Sequence, residues 1–301
     1  MKSSIEIRES VTNALVQSLS EGRIPWRKPW VSLSGPRTAT NFVSKRRYSG
    51  VNTILTMIAE TKNNWPISYW ATFNQWRSIG CSVRKGSKAT TIVYWQMLKK
   101  KVRDERGVEQ EKTIPLLKTW SIFNVSQVEG DAVAKLFVQP ELKTFDFDHS
   151  EFDSVVAATQ ARIDFGHEYA AYIPSEDKII LPDVGRFDTW EDCASTTLHE
   201  LAHWCQPAHR LNISEGYAAD ELFAEISSSY LMAELGIPHS DEMRNAKSYI
   251  QGWASQLKND PKAIFTASKY ASLAADYILG FSRPAESTDI ESENDSEAVL
   301  V

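Results

Sequence analysis

A chain of 301 residues with 42% hydrophobic content is long enough to bury two cores, so two domains are expected. Three cysteines at positions 81, 193 and 205 form no CxxC pair, which excludes a disulfide framework and fits a reducing, cytoplasmic setting; no run of 18 apolar residues or N-terminal signal segment is present, which excludes a membrane span. The net charge of −6 hides a split: residues 1–130 hold 21 Lys and Arg against 9 Asp and Glu, and residues 131–301 hold 12 against 30, so a basic domain that calls for an anionic partner is joined to an acidic one.

In chain order, Ile5, Val11, Ala14, Leu15 and Leu19 stand near helical spacing, which predicts a helix over residues 4–20 that stops at Gly22. The next segment, Ile24-Pro25-Trp26-Arg27-Lys28-Pro29-Trp30, is too proline-bound for a helix and interleaves rings with cations. Single-stranded nucleic acid asks for that mixture, because bases stack on rings while Lys and Arg track phosphates. The alternative is that Trp26 and Trp30 plug the domain core. Lys45-Arg46-Arg47-Tyr48 and Arg84-Lys85-Gly86-Ser87-Lys88 are two further cationic loops suited to phosphates. Seven of the ten tryptophans fall in this basic half; Trp70 and Trp76 read as core, and Trp95 and Trp120 sit in strand-like runs at about 90–98 and 113–123, joined by a hairpin that Lys99-Lys100-Lys101-Val102-Arg103 tips.

The domain boundary falls near residue 130, followed by an acidic, irregular linker over 131–150 and a helix near 152–163. Residues 168–173 and 178–181 read as two strands around a Pro174-Ser175-Glu176-Asp177 turn. A helix beginning near Trp190 to Cys193 and stopped by Pro207 carries His199-Glu200-Leu201-Ala202-His203, an HExxH segment. Two imidazoles one turn apart on one helix face, with a carboxylate beside them, can hold a divalent zinc-like ion and acidify water. A third protein ligand is needed, and residues 220–236 form a helical run with Glu221 and Glu225 on one face, amid so many apolar residues that the pair reads as buried for a reason. Glu221 is assigned as the ligand and Glu225 as the acceptor that orients a ligand imidazole, with the reverse assignment open. His149, His167, His209 and His239 read as surface or capping residues. After Arg283 the chain has six acids and no base, so 284–301 is expected to be a disordered acidic tail.

These motifs occur together. The 24–30 segment, Tyr48-Ser49-Gly50-Val51-Asn52, Val83-Arg84-Lys85-Gly86-Ser87-Lys88, Ile122-Phe123-Asn124-Val125-Ser126-Gln127-Val128 and then His199-Glu200-Leu201-Ala202-His203-Trp204 give the chain, over roughly residues 5–280, a resemblance to the ArdC antirestriction family. The resemblance implies an α+β protein of two domains. Residues 1–130 would be a basic, strand-containing domain for single-stranded DNA, and 151–283 a mainly helical zincin-like metallopeptidase domain with a small sheet. It further implies protection of incoming plasmid DNA from host restriction during conjugation. One divalent ion, Zn2+ or alternatively Mn2+, would sit on His199, His203 and a downstream glutamate, with Glu200 as general base. The nucleic-acid contacts expected are Trp26, Arg27, Lys28, Trp30, Lys45, Arg46, Arg47, Tyr48, Arg84, Lys85 and Lys88. Two functions stand side by side: a shield coating the transferred strand, and a DNA-localised metalloprotease acting on a host protein.

Overall fold

A computed structural model describes residues 3–27, 35–103, 109–137, 149–213, 217–239, 246–283 and 298–300. The amphipathic N-terminal pattern folds as α1 (Ser4–Ser20), started by a capping box in which Ser3 Oγ accepts the Glu6 N–H and the Glu6 carboxylate accepts the Ser3 N–H. Strand β1 (Thr40–Asn41), α2 (Val51–Asn63), β2 (Tyr69–Thr72), α3 (Phe73–Ser78), β3 (Ser82–Val83), β4 (Thr90–Arg103), β5 (Glu109–Asn124), β6 (Val128–Glu129) and α4 (Asp131–Ala134) complete the basic half. Then come α5 (Ser150–Ala158), β7 (Arg162–Phe165), β8 (Ala171–Ile173), β9 (Lys178–Leu181), α6 (Trp190–Cys205), α7 (Tyr217–Leu235), α8 (Ala246–Asn259), α9 (Ala263–Gly280) and β10 (Ala298–Leu300). The architecture is the expected α+β arrangement, strand-rich in the first half and mainly helical with a small sheet in the second.

The main sheet has the order β1-β2-β5-β4-β10, with β2, β5 and β4 antiparallel and β1 parallel to β2. The β4–β5 ladder runs from Thr90 opposite Ile122 out to Arg103 opposite Glu109, so the basic run 99–103 lies within the ladder instead of at its tip. In the second half β8 and β9 form the expected hairpin, while β7 pairs parallel with β9. The helix expected through residue 163 stops at Ala158, because Gln160 takes a left-handed turn (φ 55°) and the chain leaves as a strand. At the C-terminus, β10 pairs antiparallel with β4 where disorder was expected; its three residues are the apolar end of the acidic tail, and 284–297 lie outside the described residues.

The largest core crosses between the halves. Ile7, Val11, Leu15 and Leu19 of α1, Trp26, and Val93 and Leu117 of the hairpin join the apolar faces of α6, α7, α8 and α9 in one buried cluster. A cut at residue 130 would therefore pass through packed side chains. Ion pairs reinforce the seam: Arg47 binds Glu234 at 2.8 Å and Asp276 at 3.0 Å, Arg37 binds Glu151 at 2.6 Å, and Arg283 meets Glu151 and Glu234 from the far side.

Candidate functional site

Helix α6 starts where Thr189 Oγ1 accepts the Asp192 N–H at 3.1 Å, with Glu191 and Asp192 complementing the positive end of its dipole. Leu198, Leu201, Ala202 and Cys205 bury one side of it. That burial fixes the rotation of the helix, and with it the direction in which His199 and His203 point. Helix α7 packs alongside, lodged by Leu222, Phe223, Ala224 and Ile226, and ends at Leu235, where Gly236 adopts φ 70° in the left-handed conformation that closes helices.

The two helices bring His199, His203 and Glu221 together, with one ligand atom from each lying within 4.8 Å of the others. The His199 and His203 Nε2 atoms are 3.2 Å apart, and each lies 3.6 Å from an oxygen of Glu221. Four ligands at about 2.0–2.1 Å around a tetrahedral ion stand about 3.3 Å from one another, and the two Nε2 atoms, each faced by a different oxygen of Glu221, are spaced close to that. Glu225 stands behind His199. Its Oε2 lies 4.0 Å from His199 Nδ1, on the far side of that ring, and its Oε1 accepts from Arg27 at 2.8–2.9 Å. His203 Nδ1 contacts Gln206 Oε1 at 2.7 Å, so each ring has an oxygen partner on its outer nitrogen.

Glu200 is 7% exposed, and its Oε2 accepts the backbone N–H of Tyr172 on β8 at 2.8 Å. Strand β8 is itself clamped to the end of α6. Arg210 binds Asp177 at 2.7 Å, lies over the Trp204 ring at 3.7 Å and donates to the Trp204 carbonyl, while the Tyr172 hydroxyl donates to Asp177. Burial pushes the Glu200 carboxyl above the usual range, which makes its carboxylate a better proton acceptor. The contact with His199 holds Glu221 below its ordinary value. Burial works against a charged His199, but Glu221 together with the charges of Glu225 and Glu200 outweighs it and raises that pKa.

The residues expected to contact nucleic acid divide. Lys45, Arg46, Arg84, Lys85 and Lys88 are exposed, Lys45 lying 4.3 Å above the Phe42 ring. Trp26 is corrected to a core residue: it is fully buried and packs edge-on against Trp253 at 5.2 Å, leaving no face for a base. Tyr48 is buried, with its hydroxyl accepting from Asn41. Arg47 is tied to Glu234 and Asp276, and Arg27 to Glu225, so both guanidinium groups already have carboxylate partners. Lys28 and Trp30 lie outside the described residues. His239 was expected at the surface; it is 8% exposed, and burial followed by the nearby Arg27 charge lowers its pKa to about 3. The link from Arg27 to Glu225, across 198 residues, carries no signal in the sequence.

A family model for the N-terminal domain of the anti-restriction factor ArdC matches residues 5–123, and one for a zincin-like metallopeptidase matches 150–270. Among solved structures, the metal-free antirestriction ArdC protein from plasmid R388 is 30% identical and superposes with a TM-score of 0.75, over 92% of this chain and 98% of that one. Its Mn(II)-bound structure gives 28% and 0.72 over 93% and 99%. Two DNA primases TraC of Escherichia coli are each 32% identical over 97% and 91% of this chain, which spans 28% and 20% of their lengths. Protein y4eC of Sinorhizobium fredii (strain NBRC 101917 / NGR234) is 26% identical over 95% of both chains.

Proposed function

The chain belongs to the ArdC antirestriction family, and from that premise we propose that it binds single-stranded DNA and shields incoming plasmid DNA from host restriction during conjugation in the cytoplasm. In this reading the half ending near residue 130 carries the DNA, and the half from about residue 151 holds one divalent ion on His199, His203 and Glu221. Zn2+ suits the three-donor face, and Mn2+ is the alternative, the ion bound in the R388 relative. The observation that supports the ion most directly is the convergence of His199, His203 and Glu221, with the two Nε2 atoms 3.2 Å apart and a Glu221 oxygen 3.6 Å from each. The reading of DNA binding is supported by the match to the ArdC N-terminal domain and by exposed Lys45, Arg46, Arg84, Lys85 and Lys88.

One specific observation favours a second reading, a metal-dependent protease acting on a host protein. A bound divalent ion polarises a carbonyl and acidifies water. Glu200 is buried next to the donor triangle, oriented by the Tyr172 N–H and raised in pKa, as a proton-accepting residue should be. The two readings part at that residue. Glu200→Gln should keep metal content, fold and single-strand affinity. Under the shield reading it also keeps protection, measured as conjugation of plasmid into restricting relative to non-restricting hosts. Loss of protection with metal and DNA binding normal overturns the shield in favour of the protease.

A further inference from the structure

The two imidazoles of the site differ in what supports them. His203 Nδ1 meets Gln206 Oε1 at 2.7 Å, a partner three residues on in its own half of the chain. His199 Nδ1 faces Glu225 Oε2 at 4.0 Å, and Glu225 is in turn held from the other half, where Arg27 Nε and Nη2 both bind Oε1 at 2.9 and 2.8 Å. With both donors on one oxygen, the second oxygen is left on the imidazole side.

The position of Arg27 is itself fixed. Ile24, Pro25 and Trp26 before it are buried, the Arg27 N–H donates to the Ile24 carbonyl at 3.1 Å, and Trp26 packs edge-on against Trp253 of α8. Ile24 and Trp26 share one buried cluster with Leu222, Phe223 and Ile226, the residues that lodge α7. Residues 24–27 are thus a wedge of the basic half set against the helix that carries both glutamates, and the guanidinium is the group the wedge delivers. The Arg27 and Glu225 side chains are 24% and 12% exposed, so the pair is shielded from the water that makes surface pairs worth little.

An imidazole that binds an ion through Nε2 carries its proton on Nδ1, and a carboxylate placed there fixes the orientation of the ring and raises its basicity. The carboxylates of Glu225, Glu200 and Glu221 all act on His199, and like charges so gathered repel one another. Pairing with Arg27 offsets that repulsion and keeps Glu225 aimed. We propose that Arg27 is a positioning residue of the metal site, acting on the ion through Glu225 and His199, so that the basic half completes the ion site of the other half. The inference rests on the reading of a divalent ion on His199, His203 and Glu221, and it gives Arg27 a role that needs no nucleic acid. A guanidinium also repels a dication, so two effects of opposite sign compete. Charge alone makes loss of Arg27 tighten ion binding; position makes it weaken.

Zn2+ affinity of the full-length protein is measured by competition against a chromogenic chelator. Arg27→Met, which keeps an unbranched stem, should weaken binding by about 10-fold, the lower end of what loss of an orienting partner costs, because Glu225 is still present. In a Glu225→Ala background the same substitution should cost nothing further, since the path runs through that carboxylate. Arg47→Met is the control for a loosened seam: it breaks the contacts to Glu234 and Asp276 and should lower the melting temperature of the metal-free protein while leaving Zn2+ affinity unchanged. Metal-free melting checks that each variant folds, and Arg27→Gln stands in for Arg27→Met should the latter not fold. The proposal is overturned if Arg27→Met binds Zn2+ as tightly as the unmodified protein or more tightly, if its cost is the same with and without Glu225, or if Arg47→Met costs as much. In each of those cases the ion reading stands. An unmodified protein that binds no Zn2+ overturns both.

Discussion

Glu221 and Glu225 sit one turn apart on α7, and their environments assign them different weights in ion binding. Glu221 presents both oxygens to the imidazole Nε2 atoms at 3.6 Å, whereas Glu225 faces the outer nitrogen of His199 at 4.0 Å and is held there by Arg27. Removing a carboxylate that orients a ligand imidazole costs about 10- to 100-fold in metal affinity. Glu225→Ala should fall in that range. Glu221→Ala removes one of three donors and should exceed it. The difference is readable in two ways, by competition against a chromogenic chelator and by thermal shift. An ion at about 100 times its Kd stabilises the folded chain by about 2.7 kcal/mol, and after a 100-fold loss of affinity only about 0.4 kcal/mol remains. Both variants are therefore melted with and without Zn2+ or Mn2+, so that any cost of leaving Arg27 unpaired cancels in the difference. A larger loss for Glu225→Ala than for Glu221→Ala would refute the ligand assignment and move the third donor to Glu225.

Two further outcomes follow from burial. Trp26→Ala empties a fully buried site against Trp253 and should cost about 3–5 kcal/mol in urea unfolding, with oligonucleotide affinity per folded molecule unchanged; a folded variant that binds poorly would return Trp26 to the DNA surface. His239 has a folded pKa of about 3 against an ordinary 6.5. Below pH 6.5 the unfolded chain binds a proton that the folded one refuses, so this residue removes stability as pH falls from 6.5 towards 3, by about 1.4 kcal/mol per unit. The measurement is the pH dependence of unfolding free energy in the unmodified protein minus that in His239→Leu. A zero difference would mean that His239 takes up its proton in the folded state.

The gathering of His199, His203 and Glu221 was legible because its signals are local. HExxH places both imidazoles by helical period alone, Pro207 marks the end of α6, and the apolar surroundings of Glu221 and Glu225 mark α7 as a helix with a reason to bury carboxylates. Even the choice between the two glutamates was close, since one turn of helix separates an oxygen inside the triangle from one behind it. The aromatic side was not legible in the same way. Trp26 lies between cations and prolines and reads as exposed, yet its exposure is decided by Trp253 on α8, a helix far along the chain. Trp120 reads as one more residue in a strand. Its exposure depends on where the layer over its own face ends: Ile92 and Ile122 of that face are buried with Tyr48 and Trp70 while Trp120 stays exposed, information that no window of the hairpin contains.

The charge split has a second meaning that composition cannot separate from the first. A basic half joined to an acidic one is what an anion-binding domain with an acidic companion would show, but it is also what two halves that bind each other would show. Here both hold. Arg27, Arg37 and Arg47 of the basic half close on Glu225, Glu151, Glu234 and Asp276 of the acidic half, so these arginines reinforce the core that α1 and Trp26 already share with α6 to α9. Arginine suits that use, since its planar fork meets two carboxylates at once, as Arg47 does. The cations left exposed in the described loops of the basic half are Lys45, Lys85 and Lys88 together with Arg23, Arg46 and Arg84. Strongly hydrated point charges on flexible stems are poor at fixing one geometry and adequate for following a polyanion through many. The cations that fix the seam are thus all guanidinium groups, while lysines appear only among the exposed loop cations, as expected if the seam needs one geometry and a polyanion, on the proposed reading, does not.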